Sequence, residues 1–193
     1  MRRPLALSAV LLAASPVSGL PPPQVEVTLV WSPTGHPVRA RPPLDLRPFQ
    51  GRTFVLAPFT DARADPAVIG ERRFGPDGTR PVTTRDPVPD WVTACSRDYL
   101  TVLGLPLADH GPGPVVRGRV TRFFVAEGPG CRGEVEFKVQ VEKAGRTVWN
   151  GTALGTARRP AAPGTWQDTL SDSLRAAWAD LLGRKSFQEG LAR

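Results

Sequence analysis

Residues 133–143, GEVEFKVQVEK, place Val135, Phe137, Val139 and Val141 on one parity and Glu134, Glu136, Lys138, Gln140 and Glu142 on the other. Successive side chains of a strand point to opposite faces, so this segment builds a sheet with one apolar face and one wet face. Such alternation belongs to antiparallel sheets, and the apolar face must be covered by another layer. Two segments have the right period to cover it. In 88–103, Val88, Trp91, Val92, Cys95, Tyr99, Val102 and Leu103 recur at steps of three and four, and in 165–182 Leu170, Leu174, Ala177, Trp178, Leu181 and Leu182 do the same. Asp86 and Asp90 are expected to cap and complement the first helix, with Gly104 as its stop. Thr165 and Asp168 have the spacing of a capping box for the second. The tail from Lys185 is expected to fray.

The remaining strands follow from composition. RTFVLAPFT (52–60) is almost continuously apolar, as a strand buried on both faces would be, and Pro58 marks its departure from the ladder. AVIGERRF and TRPVTTR, separated by GPDG at 75–78, read as a short hairpin insertion. Residues 115–127 and 146–158 flank 133–143 in a meander closed by the KAGR turn. QVEVTLVW (24–31) alternates as a strand or an extended lead-in, and the Pro/Gly-rich stretch behind it reads as a linker. The expected architecture is an α+β two-layer sandwich: a mostly antiparallel sheet with two amphipathic helices on one face. Residues 52–190 make a single α+β domain after an extended segment and linker at 20–51.

The first 19 residues read as a signal peptide: Arg2 and Arg3, an apolar run from Leu5 to Ala14, then the small residues Val17-Ser18-Gly19. That run is shorter than the roughly 20 residues a spanning helix needs, and no later window supplies one. The expected location is periplasmic or secreted, with outer-membrane association as an extension of it. A bacterial lipoprotein would carry its lipid-accepting cysteine after Gly19, where this chain has Leu20. Both a freely soluble exported protein and a lipoprotein relative without its anchor fit that departure. Cys95 and Cys131 form an even pair, which in an exported protein favours a disulfide, although two reduced thiols are the alternative.

The net charge of +7 raises the possibility of nucleic-acid binding, but the basic residues are interleaved with acids rather than run together, as on a solvated surface. Nucleic acid is therefore not an expected partner. His36 and His110 lie at no ligand spacing from each other or from the cysteines, so no metal is expected. Ser96, Asp98 and His110 are close in sequence, yet no nucleophile elbow surrounds Ser96 and it falls on a helix. Glu134 and Glu136 share a strand face at about 7 Å, a spacing compatible with paired carboxylates. The reading preferred for them is the solvated side of an antiparallel strand, with Lys138 beside them for charge balance. The glycine-rich GPGPVVRGR and EGPGCRG lack phosphate-loop spacing and read as turns. No cofactor and no catalytic set is expected. Trp149 is the tryptophan expected to be exposed.

FVLAPFTD at 54–61, Asp61 and Arg63 spaced as D-x-R, VIGE at 68–71 and VTTRDPVPDWV at 82–92 resemble the YajG-like family of uncharacterised bacterial envelope lipoproteins. KAGRTVWNGT at 143–152 and the terminal amphipathic helix are similar as well, so the resemblance spans about 130 residues. It implies a non-catalytic binding or assembly role in the envelope, with an envelope protein or a wall or lipid component as partner. Asp61, Arg63, Gly70 and Arg72 are then the candidate partner-facing or structural residues. Two other classes stand beside this one: a periplasmic hydrolase of cell-wall sugar or peptide acting through Glu134 and Glu136, and a protein that binds an anionic polymer or lipid headgroup through surface arginines.

Overall fold

A computed structural model describes residues 24–32, 44–75, 78–160 and 162–192. The expected signal peptide at 1–19 and positions 33–43 of the expected linker lie outside the described residues. Among the described residues nine strands form one mixed sheet: β1 (Val25–Glu26), β2 (Phe54–Leu56), β3 (Thr60–Asp61), β4 (Val68–Arg73), β5 (Thr79–Thr83), β6 (Leu107–Ala108), β7 (Val115–Glu127), β8 (Gly130–Lys143) and β9 (Arg146–Pro160). Helices α1 (Val88–Val102), α2 (Thr165–Leu182) and α3 (Lys185–Ala192) cover one face. The α+β two-layer sandwich expected from the sequence is the observed architecture.

β7 is the axis of the sheet. On one side it opens the antiparallel meander β7–β8–β9, whose registers run Val120↔Phe137 and Phe137↔Ala153. Along its other side β2, β3 and β4 pair with it in series and all in parallel, at Val55↔Val115, Thr60↔Arg119 and Gly70↔Val125. Antiparallel pairing carries the long ladders, while these short contacts make the sheet mixed. The parallel arrangement of 54–61 with 115–127 needs a crossover, and α1 is part of it.

The residues between β2 and β3 leave the ladder at Pro58, and Phe59 turns inward. A Cβ on Gly118 would lie 2.1 Å from the Phe59 ring, so only glycine leaves room for that ring against β7. The ring meets Phe137 edge to face at 5.3 Å, and Phe137 in turn contacts Trp178 of α2 at 5.5 Å. The Trp178 indole N–H donates to Ser96 Oγ at 2.8 Å, which ties α2 to α1 and satisfies both buried groups.

β4 and β5 pair antiparallel as the expected hairpin, positions 76–77 of its expected turn lying outside the described residues, but the hairpin is not an insertion standing off the sheet. β4 is paired on both sides, and β5 also carries β1 in parallel. Its burial follows from Ile69, which is completely enclosed.

Four other expectations change. The Asp86 carboxylate does not cap α1; it accepts the Leu29 backbone N–H at 2.6 Å and so fastens the lead-in segment to the domain. The N-terminal end of α2 starts at Gly164 with no side-chain cap, and Asp168 accepts instead from the Ser32 hydroxyl at 2.6 Å. The tail does not fray: α3 buries Phe187 and Leu191. Trp149 is half-buried rather than exposed, lying edge to face on Phe187 at 5.0 Å and donating to Ser186 Oγ at 3.2 Å. Within the stretch expected to be linker, Phe49 is also buried, at the end of a short 3-10 turn, Arg47–Phe49.

Candidate functional site

The uncovered face of the β7–β8–β9 meander gathers most of the charge in the sheet, because strand alternation sends every second residue there. Its two ends differ. Toward the C-terminal half of β7, Arg122 and Arg132 both engage the Glu134 carboxylate, the latter at 2.6 Å, and Thr121 donates to Glu136 Oε1 at 2.6 Å. The Arg122 guanidinium also lies over the Phe124 ring at 5.2 Å. Glu134 and Glu136 are thus engaged by neighbouring donors on an open strand face.

At the other end, Arg119 stands directly opposite Lys138 in the β7–β8 register. Arg119 is flanked on its other side by Thr60, and Lys138 by Thr152. A single cross-strand row therefore reads Thr60, Arg119, Lys138, Thr152. Like charges directly opposite on antiparallel strands are unfavourable, since their Cβ atoms stand only about 4.5–5.5 Å apart. Among the described residues neither cation has a carboxylate partner. A recess of about 240 Å³ opens here, walled by Pro58 and Thr60 where the chain leaves the ladder. Arg117, Arg119, Lys138 and Gln140 line it together with Gly118, and none of its lining residues is acidic. Arg117 is held from outside the recess by Glu142 at 2.8 Å.

The residues singled out from the sequence are mostly committed elsewhere. Asp61 and Arg63 form a two-point pair, with Nε at 3.0 Å from Oδ1 and Nη2 at 2.8 Å from Oδ2. The Arg63 guanidinium further donates to the Pro66 and Val68 carbonyls, at 2.7 Å and 3.3 Å. This pairing holds the Asp61 carboxyl below its ordinary range, and the Arg63 side chain is only 6% exposed. These two residues close the loop between β3 and β4. Gly70 is required because a Cβ there would lie 2.1 Å from the Val125 carbonyl oxygen across the β4–β7 pairing. Arg72 binds Glu127, with Nε at 2.6 Å from Oε2.

Cys95 and Cys131 are free and buried in the structure, so the expected 95–131 bridge is not formed. Burial, reinforced by Asp98, pushes the Cys95 thiol up to about 12. Burial also raises Cys131, against a hydrogen bond with the Thr169 side chain that favours the thiolate. Each thiol is accommodated where it stands, Cys95 in the apolar face of α1 and Cys131 beside α2.

A second group of charges lies on the helix side. Arg159 donates through Nε to Asp172 Oδ2 at 3.0 Å, and Arg175 reaches Oδ1 of the same carboxylate at 3.5 Å. Arg175 also lies over the Tyr99 ring at 5.6 Å. Ser96, buried and bonded to Trp178, is structural, while His110 is exposed in its loop. Among the described residues no group of three or more His, Cys, Asp or Glu could hold a metal, and no helix is long and apolar enough to cross a membrane.

No family model matches the chain, and no curated protein matches it in sequence. Its fold is similar to solved structures. Protein XCC0632 from Xanthomonas campestris, described under the family model DUF330, matches with a TM-score of 0.50 at 13% identity, over 86% of this chain and 96% of that one. Lipoprotein GNA1162 from Neisseria meningitidis matches with a TM-score of 0.35 at 10% identity, over 66% and 98%. The PelC dodecamer from Paraburkholderia phytofirmans gives 0.41 at 12% identity, over 67% and 88%. The likeness to XCC0632 shows a shared fold.

Proposed function

We propose that this protein is a non-catalytic binding or assembly module of the bacterial envelope, of the YajG-like lipoprotein type, acting after export. The observation that carries the reading is β9: an edge strand of 15 residues, Arg146–Pro160, paired on one side only among the described residues. A long unpaired edge exposes backbone donors and acceptors that can take a partner's strand. The family-like motifs at 54–61 and 82–92 support the same reading. The hydrolase alternative loses its support, since Glu134 already serves two arginines and Glu136 a threonine on an open face. Arg63 and Arg72, engaged inside the domain, are poor partner contacts, which moves the weight of the proposal from the 61–86 region to the β9 edge.

Site-specific photo-crosslinking in the native envelope tests this. Crosslinkers at Asn150 and Leu154 of β9 are expected to yield a discrete adduct that one at the exposed Val102 of α1 does not. Identical adduct patterns from all three positions would remove β9 as the contact surface.

A further inference from the structure

We infer that the recess at Arg119 and Lys138 is a binding site for a single phosphate-type anionic group, presented by a lipid headgroup or by free phosphate. The inference deepens the anionic-ligand reading of the surface and is independent of the assembly role proposed for β9.

Three observations converge on it. The first is the cross-strand row Thr60, Arg119, Lys138, Thr152, which sets two cations opposite each other without an acid in the row, and of its two threonines Thr60 lines the recess. Facing cations repel each other, and an oxyanion between them turns that repulsion into two charge-assisted hydrogen bonds. The second is local contrast. On the same two strands Arg122, Arg132 and Arg117 each have a glutamate, so this face supplies carboxylates where it neutralises its arginines. Among the described residues no carboxylate is paired with Arg119 or Lys138, and Glu136, two residues along β8 on the same face, is engaged by the Thr121 hydroxyl.

The third is shape. The chain's exit from the ladder at Pro58 and Thr60 walls one side of the recess, and Lys138 and Gln140 of β8 line it as well. At about 240 Å³ it holds several times the ~30 Å³ share of a water molecule. It is smaller than the roughly 300–1,000 Å³ of pockets that enclose a whole small molecule. One charged group of a larger ligand fits that size better than an enclosed metabolite does. Arg supplies forked donors and Lys a compact charge, a combination suited to a tetrahedral oxyanion.

The experiment titrates inorganic phosphate against the full chain at constant ionic strength, balanced with sodium chloride, following the thermal midpoint and the heat of binding. Phosphate is expected to raise the midpoint saturably. Lys138→Glu, which gives Arg119 a carboxylate partner and so keeps the protein folded, is expected to weaken phosphate binding at least about tenfold, the equivalent of one charge-assisted hydrogen bond. Arg122→Gln removes a positive charge from the same face outside the recess and is expected to leave the phosphate response intact. Equal losses in both variants would show diffuse surface attraction and overturn the site.

Sedimentation with phosphatidylcholine vesicles, with and without phosphatidylglycerol, separates the sources. Binding only to phosphatidylglycerol vesicles, lost in Lys138→Glu, assigns the site to a headgroup. Response to free phosphate without vesicle binding assigns it to soluble phosphate. Absence of both overturns the inference, whatever the crosslinking from β9 shows.

Discussion

Arg159 and Arg175, on the helix side of the sheet, converge on the Asp172 carboxylate, whereas Arg119 and Lys138 on the open side confront each other with no carboxylate between them. The first group is shielded, with Asp172 only 10% exposed in its side chain, and its charges complete one another. The second is bathed in solvent, where repulsion is screened and the cost of leaving it unresolved is small. The difference teaches that an arginine-rich composition is not one property. Shielded arginines here fasten α2 to the sheet, and the unmatched pair is available to something outside the molecule.

Breaking the shielded group should have the largest effect. Asp172→Ala leaves two guanidiniums beneath the helices without their shared acceptor and is expected to cost about 3 kcal/mol, the lower end for removing one partner of a buried pair. Chemical denaturation measures it; a cost below that of an ordinary surface substitution would mean that the two sides of the sheet do not differ. Asp61 and Arg63 lie between the extremes, being partly shielded, and Asp61→Asn is expected to cost about 1 kcal/mol. Because the Arg63 pairing lowers the Asp61 carboxyl from its ordinary value of 3.8, its contribution is fully present above that value. It is lost as pH falls through the lowered folded value. The acid limb of the stability curve should therefore flatten in Asp61→Asn.

On the open side the sign reverses. Lys138→Glu is expected to stabilise the protein by about 0.5 kcal/mol in chloride buffer, the size of an exposed cross-strand ion pair. Destabilisation would show that Lys138 already has a role the comparison misses. The smallest expected effect concerns the cysteines, whose burial leaves little thiolate at neutral pH. Alkylation of folded protein should be negligible, and unfolding without reductant should expose both thiols. Non-reducing mass mapping that finds a 95–131 linkage instead would contradict the unbonded arrangement.

Local pattern made part of this legible. The period of 133–143 and the apolar stripes of 88–103 and 165–182 correspond to β8, α1 and α2, because strand alternation and helical stripes are written within one segment. What stayed hidden depends on partners far away in sequence. α3 offers only Phe187 and Leu191 as a stripe, and its burial comes from Trp149 across the chain. Asp86 and Asp168 resemble caps by spacing, but the Leu29 and Ser32 groups that claim them lie on the other side of the linker. Arg119 and Lys138 were illegible for the same reason. Each is an ordinary wet-face residue until the β7–β8 register sets it opposite the other.

Phe59 seated over Gly118 has a further consequence. Short parallel segments are poor at choosing their alignment, since a slide of one residue preserves much of their backbone pairing while turning every side chain to the wrong face. Slid one step along β7, the Phe59 ring would meet Arg117 or Arg119 in place of the notch at Gly118. The ring in its notch therefore works as an index pin, setting how far along β7 the incoming chain comes to rest.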